Sequence, residues 1–191
     1  MSKTPLVILS DDPSANSGLA RITRDLASRI HEHLGDAFEV ATIGYGGAGS
    51  KRFPWMSYHL HSIENWLPVE LPDVWKDFVG DRNGIFMGIW DASRFWWINN
   101  PQAPPHLRQW LKSDGIKKWI YHPVDAAGPG PNGEISKILS ATLECFDRVL
   151  DYSAFSCTTT GSKHHLPHGI DRSVFKKYDH LASKRKFREL G

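Results

Sequence analysis

Cysteine is scarce in this chain: Cys145 and Cys157 are the only two among 191 residues. Two thiols cannot build a disulfide framework, so a reducing, cytoplasmic setting is expected. Long apolar runs are missing too. None approaches the roughly 20 residues that cross a bilayer, so no membrane span is expected. The start, Met-Ser-Lys-Thr-Pro, leads directly into an apolar run, and no secretory leader is expected. There is no internal repeat and no low-complexity tract. A G-x-S-x-G nucleophile elbow is absent, which argues against a hydrolase of that type. Closely spaced His164, His165 and His168 are interrupted by Pro167 and followed by Gly169, so no helix can align them. No Cys/His pair has zinc-finger spacing, and no metal site is expected.

Strong charge of one sign is also lacking, at a net +2. The distribution is uneven. Residues from Arg172 onward carry +5, and the preceding 171 residues carry −3. The body is therefore not a basic nucleic-acid binder, and a short basic tail reads first as a solvated face.

What the sequence has is alternation. Strands are predicted at Leu6–Ser10, Phe38–Ile43, Ser57–His61, Gly84–Trp90, Lys118–His122 and Arg148–Asp151. Between them lie helical stripes: Ile22, Leu26 and Ile30; Leu107, Trp110 and Leu111; and Ile135, Ile138, Leu139, Leu143 and Phe146. Apolar strands alternating with amphipathic helices predict an α/β fold, a Rossmann-like, mostly parallel sheet with helices on both faces. In such sheets ligands bind beyond the carboxyl ends of the strands, so the loops that follow strands hold the candidates.

The first such loop is SDDPSANSG, which opens a helix. Ser17, Gly18 and Arg21 stand where free backbone N–H groups and a positive dipole end meet a phosphate or a sugar hydroxyl. Ser17 is equally a good N-cap. GYGGAG, Gly44 to Gly49, fits G-x-G-x-x-G formally. No amphipathic helix follows it, so a loop at a cleft edge is the better reading. His122 closes a strand, with Asp125 close behind, and Asp91 follows another strand. All three are candidate cleft residues; the competing readings are a buried histidine for His122 and a helix cap for Asp91. Eight tryptophans, among them Trp55, Trp90, Trp96 and Trp97, serve either as sugar-stacking surfaces or as core.

The stretch FDRVLDYSAFSCTTTG…HHLPHGIDRSVF resembles the end of the N-terminal half of GT-B glycosyltransferases, particularly the retaining family-four (group 1) enzymes. Asp147, Ser153, Pro167, Gly169, Ile170, Asp171 and Phe175 fit that group's pattern. Ser17-Gly18 stands where the group has Gly-Gly, and His122 matches its strand-end histidine. The resemblance implies an N-terminal Rossmann-like domain over residues 1–175. Residues 176–191 would be a linker or helix leading toward a C-terminal domain, on the same or another chain. It implies transfer of a sugar, with retention, from a nucleoside-diphosphate sugar to the hydroxyl of a sugar or other acceptor, with no further cofactor and no metal. His122, Asp91 and Asp125 would be the catalytic set, and Ser17, Gly18, Arg21, Ser153 and Gly169 the substrate and donor contacts. No donor-binding glutamate motif is found, so the isolated half is expected to be inactive. His122→Ala is expected to cut turnover in the complete enzyme with little loss of stability. The alternatives are a non-catalytic glycan- or acceptor-binding module and, on the basic tail alone, a nucleic-acid-modifying glycosyltransferase.

Overall fold

A computed structural model describes residues 2–47, 52–60 and 68–169. Seven strands form one sheet: β1 (Thr4–Asp11), β2 (Phe38–Tyr45), β3 (Met56–His59), β4 (Gly84–Gly88), β5 (Ile116–His122), β6 (Arg148–Asp151) and β7 (His164–His165). All adjacent pairs are parallel. Their order is β3-β2-β1-β4-β5-β6-β7, the Rossmann-like arrangement. The chain runs outward to one side from β1 and to the other from β4. The carboxyl ends of these two neighbours therefore flank the switch point, where a crevice opens.

The central strand shows why the sheet is buried on both sides. Leu6, Val7, Ile8 and Leu9 are all buried. Val7 and Leu9 enter one apolar cluster, Leu6 and Ile8 the other. Period-two geometry sends alternate side chains to opposite faces, so an unbroken apolar run serves two cores. Each such side chain contributes about 1.5–3 kcal/mol on burial.

One face is covered by α1 (Gly18–Leu34). Ile22, Leu26 and Ile30 pack against that face's cluster, as their spacing predicts. The deepest contact comes from Ala20, Thr23 and Ala27, whose small side chains let the helix lie close to the sheet. The other face carries α2 (Leu71–Phe78), a 3-10 segment (Ala92–Ile98), α3 (Pro105–Leu111) and α4 (Lys137–Leu143). A last helix, α5 (Ala154–Thr160), lies along β6 and β7. No helix among the described residues is long and apolar enough to cross a membrane.

Several expectations shift. The stripe from Ile135 to Phe146 is longer than its helix: α4 covers only Lys137–Leu143, and Ile138 is 76% exposed. Leu143 and Phe146 do reach the core, Phe146 from the turn beyond the helix. The strand predicted to Trp90 ends at Gly88, and the one predicted from Lys118 begins at Ile116. The β3 strand starts at Met56, and His61 lies outside the described residues. So do Ile170, Asp171, Phe175 and the 176–191 segment.

Serines fix three helix starts, those of α1, α4 and α5. The Ser17 side chain accepts from Ala20 N at 3.0 Å, and that of Ser153 accepts from Ser156 N at 3.0 Å. Removing an N-cap costs about 1 kcal/mol. Ser153→Ala is therefore expected to lower stability by about that amount, read as a shift of the urea midpoint at constant slope. No shift would mean that the cap is idle.

Candidate site at the carboxyl edge of the sheet

The switch-point crevice is rimmed by carboxylates from the loops after β1 and β4. Asp11 Oδ1 accepts from Trp90 Nε1 at 2.9 Å and lies 3.5 Å from Arg94 Nη1. Its Oδ2 accepts from Ser17 Oγ at 2.5 Å. Arg94 also lies 3.9 Å from Asp91 and stacks over the Trp90 ring at 5.6 Å. One guanidinium thus serves two carboxylates. Asp91 makes no capping hydrogen bond to the 3-10 segment that it precedes, so the helix-cap reading does not hold for its side chain.

Asp91, His122 and Asp125 line one cleft of about 280 Å3, with Ser93 and Ser136 among its polar walls and Leu139 and Leu143 among its apolar ones. The fold therefore brings the predicted catalytic set together. Asp125 is exposed there. His122 is only 2% exposed, and both ring nitrogens face protein groups. Nδ1 donates to the Pro123 carbonyl at 3.1 Å. Nε2 lies 3.1 Å from Asp151 Oδ1, a buried pair not aligned as a hydrogen bond. Thr160 Oγ1 donates to Asp151 Oδ2 at 2.6 Å. His122 therefore shapes the cleft from inside the core, and its expected indifference to stability has to be revised.

The predicted donor contacts separate. Ser17 caps α1 and is tied to Asp11. A Cβ on Gly18 would meet nothing within 4 Å, so the protein's own packing does not demand glycine there. Arg21, paired with Asp25 at 3.6 Å, and Gly169 line a different space. This is a groove of about 550 Å3 beside α1, also walled by Tyr121 and His168. Ser153 is the α5 cap.

The groove's wall carries a pH-sensitive contact. Tyr121 Oη donates to the Leu166 carbonyl at 2.9 Å and lies 3.0 Å from His168 Nδ1. The His168 ring packs on Tyr152 at 4.0 Å between centroids. Burial holds the His168 pKa below its ordinary 6.5 and pushes Tyr121 up to about 12. Burial, then the neighbouring Tyr121, Asp91 and Asp125, raise that of Tyr152. Because the folded state favours neutral His168, its contribution to stability is full above 6.5 and is lost as pH falls through the lowered value. The ring's NMR titration is expected to have its midpoint below 6.5; a midpoint at or above 6.5 would mean a solvated ring.

Asp12 explains the glycine loop. Buried at 2% exposure, it accepts from Ser14 N at 2.7 Å and from Ser14 Oγ, and pairs with His59 Nδ1 at 2.6 Å. His59 Nε2 reaches the Gly47 carbonyl at 2.9 Å. A Cβ on Gly44 would lie 2.3 Å from Asp12 Cα, and one on Gly47 2.3 Å from Asp12 Cγ. Within the described part of GYGGAG, these glycines make room for a carboxylate. Residues 48–51 lie outside the description.

Most of the tryptophans take the packing role. Trp55, Trp75, Trp90, Trp97 and Trp110 are buried, while Trp96 is 36% exposed. The stacking surfaces required by a glycan-binding module are thus largely in the core. Neither thiol is poised as a nucleophile: burial raises the pKa of Cys145, and burial followed by the Asp151 carboxylate raises that of Cys157. Among the described residues no group of three or more His, Cys, Asp or Glu is placed to hold a metal ion.

Asp11, Asp12, His59, Arg94 and Asp151 are absent from the sequence-derived set. The strand-end rule pointed to Asp11 and Asp12 as directly as to Ser17, since both directly follow the apolar core of β1. Asp151 closes its predicted strand and was within reach of the same rule, whereas His59 and Arg94 are paired with Asp12 and Asp11, at the end of another strand, which no local pattern shows. No protein-family model matches the chain, and no curated protein matches it.

Proposed function

We propose that this chain is the acceptor-side half of a GT-B-like glycosyltransferase, completed by a donor-binding domain on the same or another chain. The observation that carries this reading is the charge of the carboxyl edge. Asp11, Asp91 and Asp125 rim it, and the cation among them, Arg94, is shared by Asp11 and Asp91. Ionised carboxylates accept hydrogen bonds from hydroxyls and repel a diphosphate. The opening of α1 would attract phosphate on its dipole alone, but Asp11 beside Ser17 already occupies that field.

Each side chain then has a task. Asp91 and Asp125 accept hydrogen bonds from acceptor hydroxyls and orient them. Ser17 and Asp11 fix the loop that lets a sugar approach Gly18. His122 and Asp151 hold the cleft floor in place. The cations and helix ends that stabilise the leaving diphosphate belong to the completing domain. The reaction is transfer of a sugar from a nucleoside-diphosphate sugar to a hydroxyl, with retention.

Calorimetric titration of the chain with UDP, GDP, ADP and their sugars tests this. Binding no tighter than about 1 mM, roughly −4 kcal/mol, is expected. Micromolar binding of any of them that persists in an Arg108→Gln variant, Arg108 lying away from the cleft, would mean that the chain has its own donor site, and the reading as a half would fall.

A further inference from the structure

A third cavity, of about 370 Å3, lies on the sheet face that carries α3 and α4. Arg108, Lys112 and Lys118 line it with Asn99 and Asn100, and no carboxylate does. The position of Lys118 is unusual. Its neighbours on the same face of β5, Ile116 and Ile120, are core residues. A charge therefore stands where the alternation calls for an apolar side chain. Lys118 Nζ donates to the Leu111 carbonyl at 3.1 Å, capping the end of α3. That uses one of three ammonium protons. Arg108 and Lys112 have no carboxylate partner among the described residues. The Asn100 side-chain oxygen is taken by Gln102 N at 2.9 Å, which leaves its amide N–H groups as donors.

All three cations stand at the C-terminal end of α3, Arg108 in its last turn, Lys112 at its C-cap and Lys118 on its last carbonyl, where each also suits the negative end of the helix dipole. The helix end does not by itself account for three cations and an amide donor around one cavity whose lining holds no carboxylate, the nearby Asp147 being engaged by the Lys118 backbone N–H at 2.7 Å. Like charges so placed repel one another, and an anion in the middle turns that repulsion into attraction. We propose that this cavity binds a small phosphate-bearing anion. The Arg108 fork and the Lys112 and Lys118 ammonium groups hold the phosphate oxygens. Ile98 and Leu111 supply an apolar wall for an ester group. The site is separate from the acidic cleft: Lys118 precedes His122 by four residues on β5, about 13 Å at 3.3 Å per residue.

The test uses inorganic phosphate, titrated into the 15N-labelled chain at constant ionic strength with chloride as the control. Saturable amide shifts at Asn99, Asn100, Arg108 and Lys112 are expected, and chloride should not reproduce them. Lys118→Met and Arg108→Gln should each weaken binding about tenfold or more, the loss expected of one charge-assisted hydrogen bond. Arg108 is exposed on a helix surface, so its variant keeps the fold even if Lys118→Met does not. Shifts that do not saturate, that chloride matches, or that survive Arg108→Gln unchanged would overturn the proposal.

Discussion

His122→Ala is expected to destabilise the fold by about 2–5 kcal/mol, the cost of the cavity left by a fully enclosed side chain. Asp151 is fully buried, and its Oδ1 has no hydrogen-bond donor among the described residues even with His122 Nε2 3.1 Å away. Thr160 satisfies only the other oxygen. Adding Asp151→Asn to His122→Ala replaces the carboxyl group left beside the cavity with a neutral amide and should recover part of the loss. Urea unfolding of the two single variants and the double variant reads this directly as a coupling energy. Near-normal stability of His122→Ala would show that the site closes over the lost ring and that the pairing carries no weight in the fold. The result also bears on catalysis. Lost turnover in a His122→Ala enzyme cannot be assigned to substrate contact until the fold is shown intact, whereas Asp91→Asn and Asp125→Asn, at less enclosed positions, carry no such cost.

Gly44→Ala is the second large effect. The new Cβ would meet Asp12 Cα at 2.3 Å, a backbone atom that cannot swing away. Overpacking of this kind costs about 1–3 kcal/mol or more, and here β1 and β2 are locked in register through Ser10↔Gly44. Gly47→Ala meets mainly Asp12 side-chain atoms, Cγ and Oδ1 at 2.3 Å and Cβ at 2.5 Å. The two substitutions should therefore respond differently to Asp12→Gly. That change should relieve Gly47→Ala and leave most of the Gly44→Ala penalty in place. Thermal midpoints of the four combinations check it. Equal relief of both would mean that the loop adjusts around Asp12 rather than being shaped by it.

These two cases show what could be read from the sequence. The α/β fold followed from apolar strands and amphipathic stripes because periodicity is local: Leu6 to Leu9 and the Ile22–Leu26–Ile30 row declare their own faces. The cleft was legible in part. Asp91, His122 and Asp125 each follow or close a strand, and parallel strands bring their carboxyl ends to one edge. The His122–Asp151 pairing was not legible, since it depends on the β5–β6 register, which places His122 beside Asp151. The glycines of GYGG resembled a nucleotide motif because close approach to a carboxylate and to a phosphate asks for the same missing Cβ. Arg21 is read from its place at a helix start, and Gly169 as a contact implied by the glycosyltransferase resemblance; neither line of reasoning shows which space a residue lines. Arg21 projects from α1 toward the groove formed by Tyr121, His168 and Gly169.

The most direct measurement follows backbone amides of the chain while a neutral sugar, such as a methyl hexoside, is titrated in. If the carboxyl edge receives hydroxyls, shifts will concentrate at Gly18, at Asp91 to Ser93 and at Val124 to Asp125, and Asp91→Asn with Asp125→Asn will abolish them. Shifts confined to the α1 groove, or none anywhere, would contradict the acidic cleft as an acceptor site.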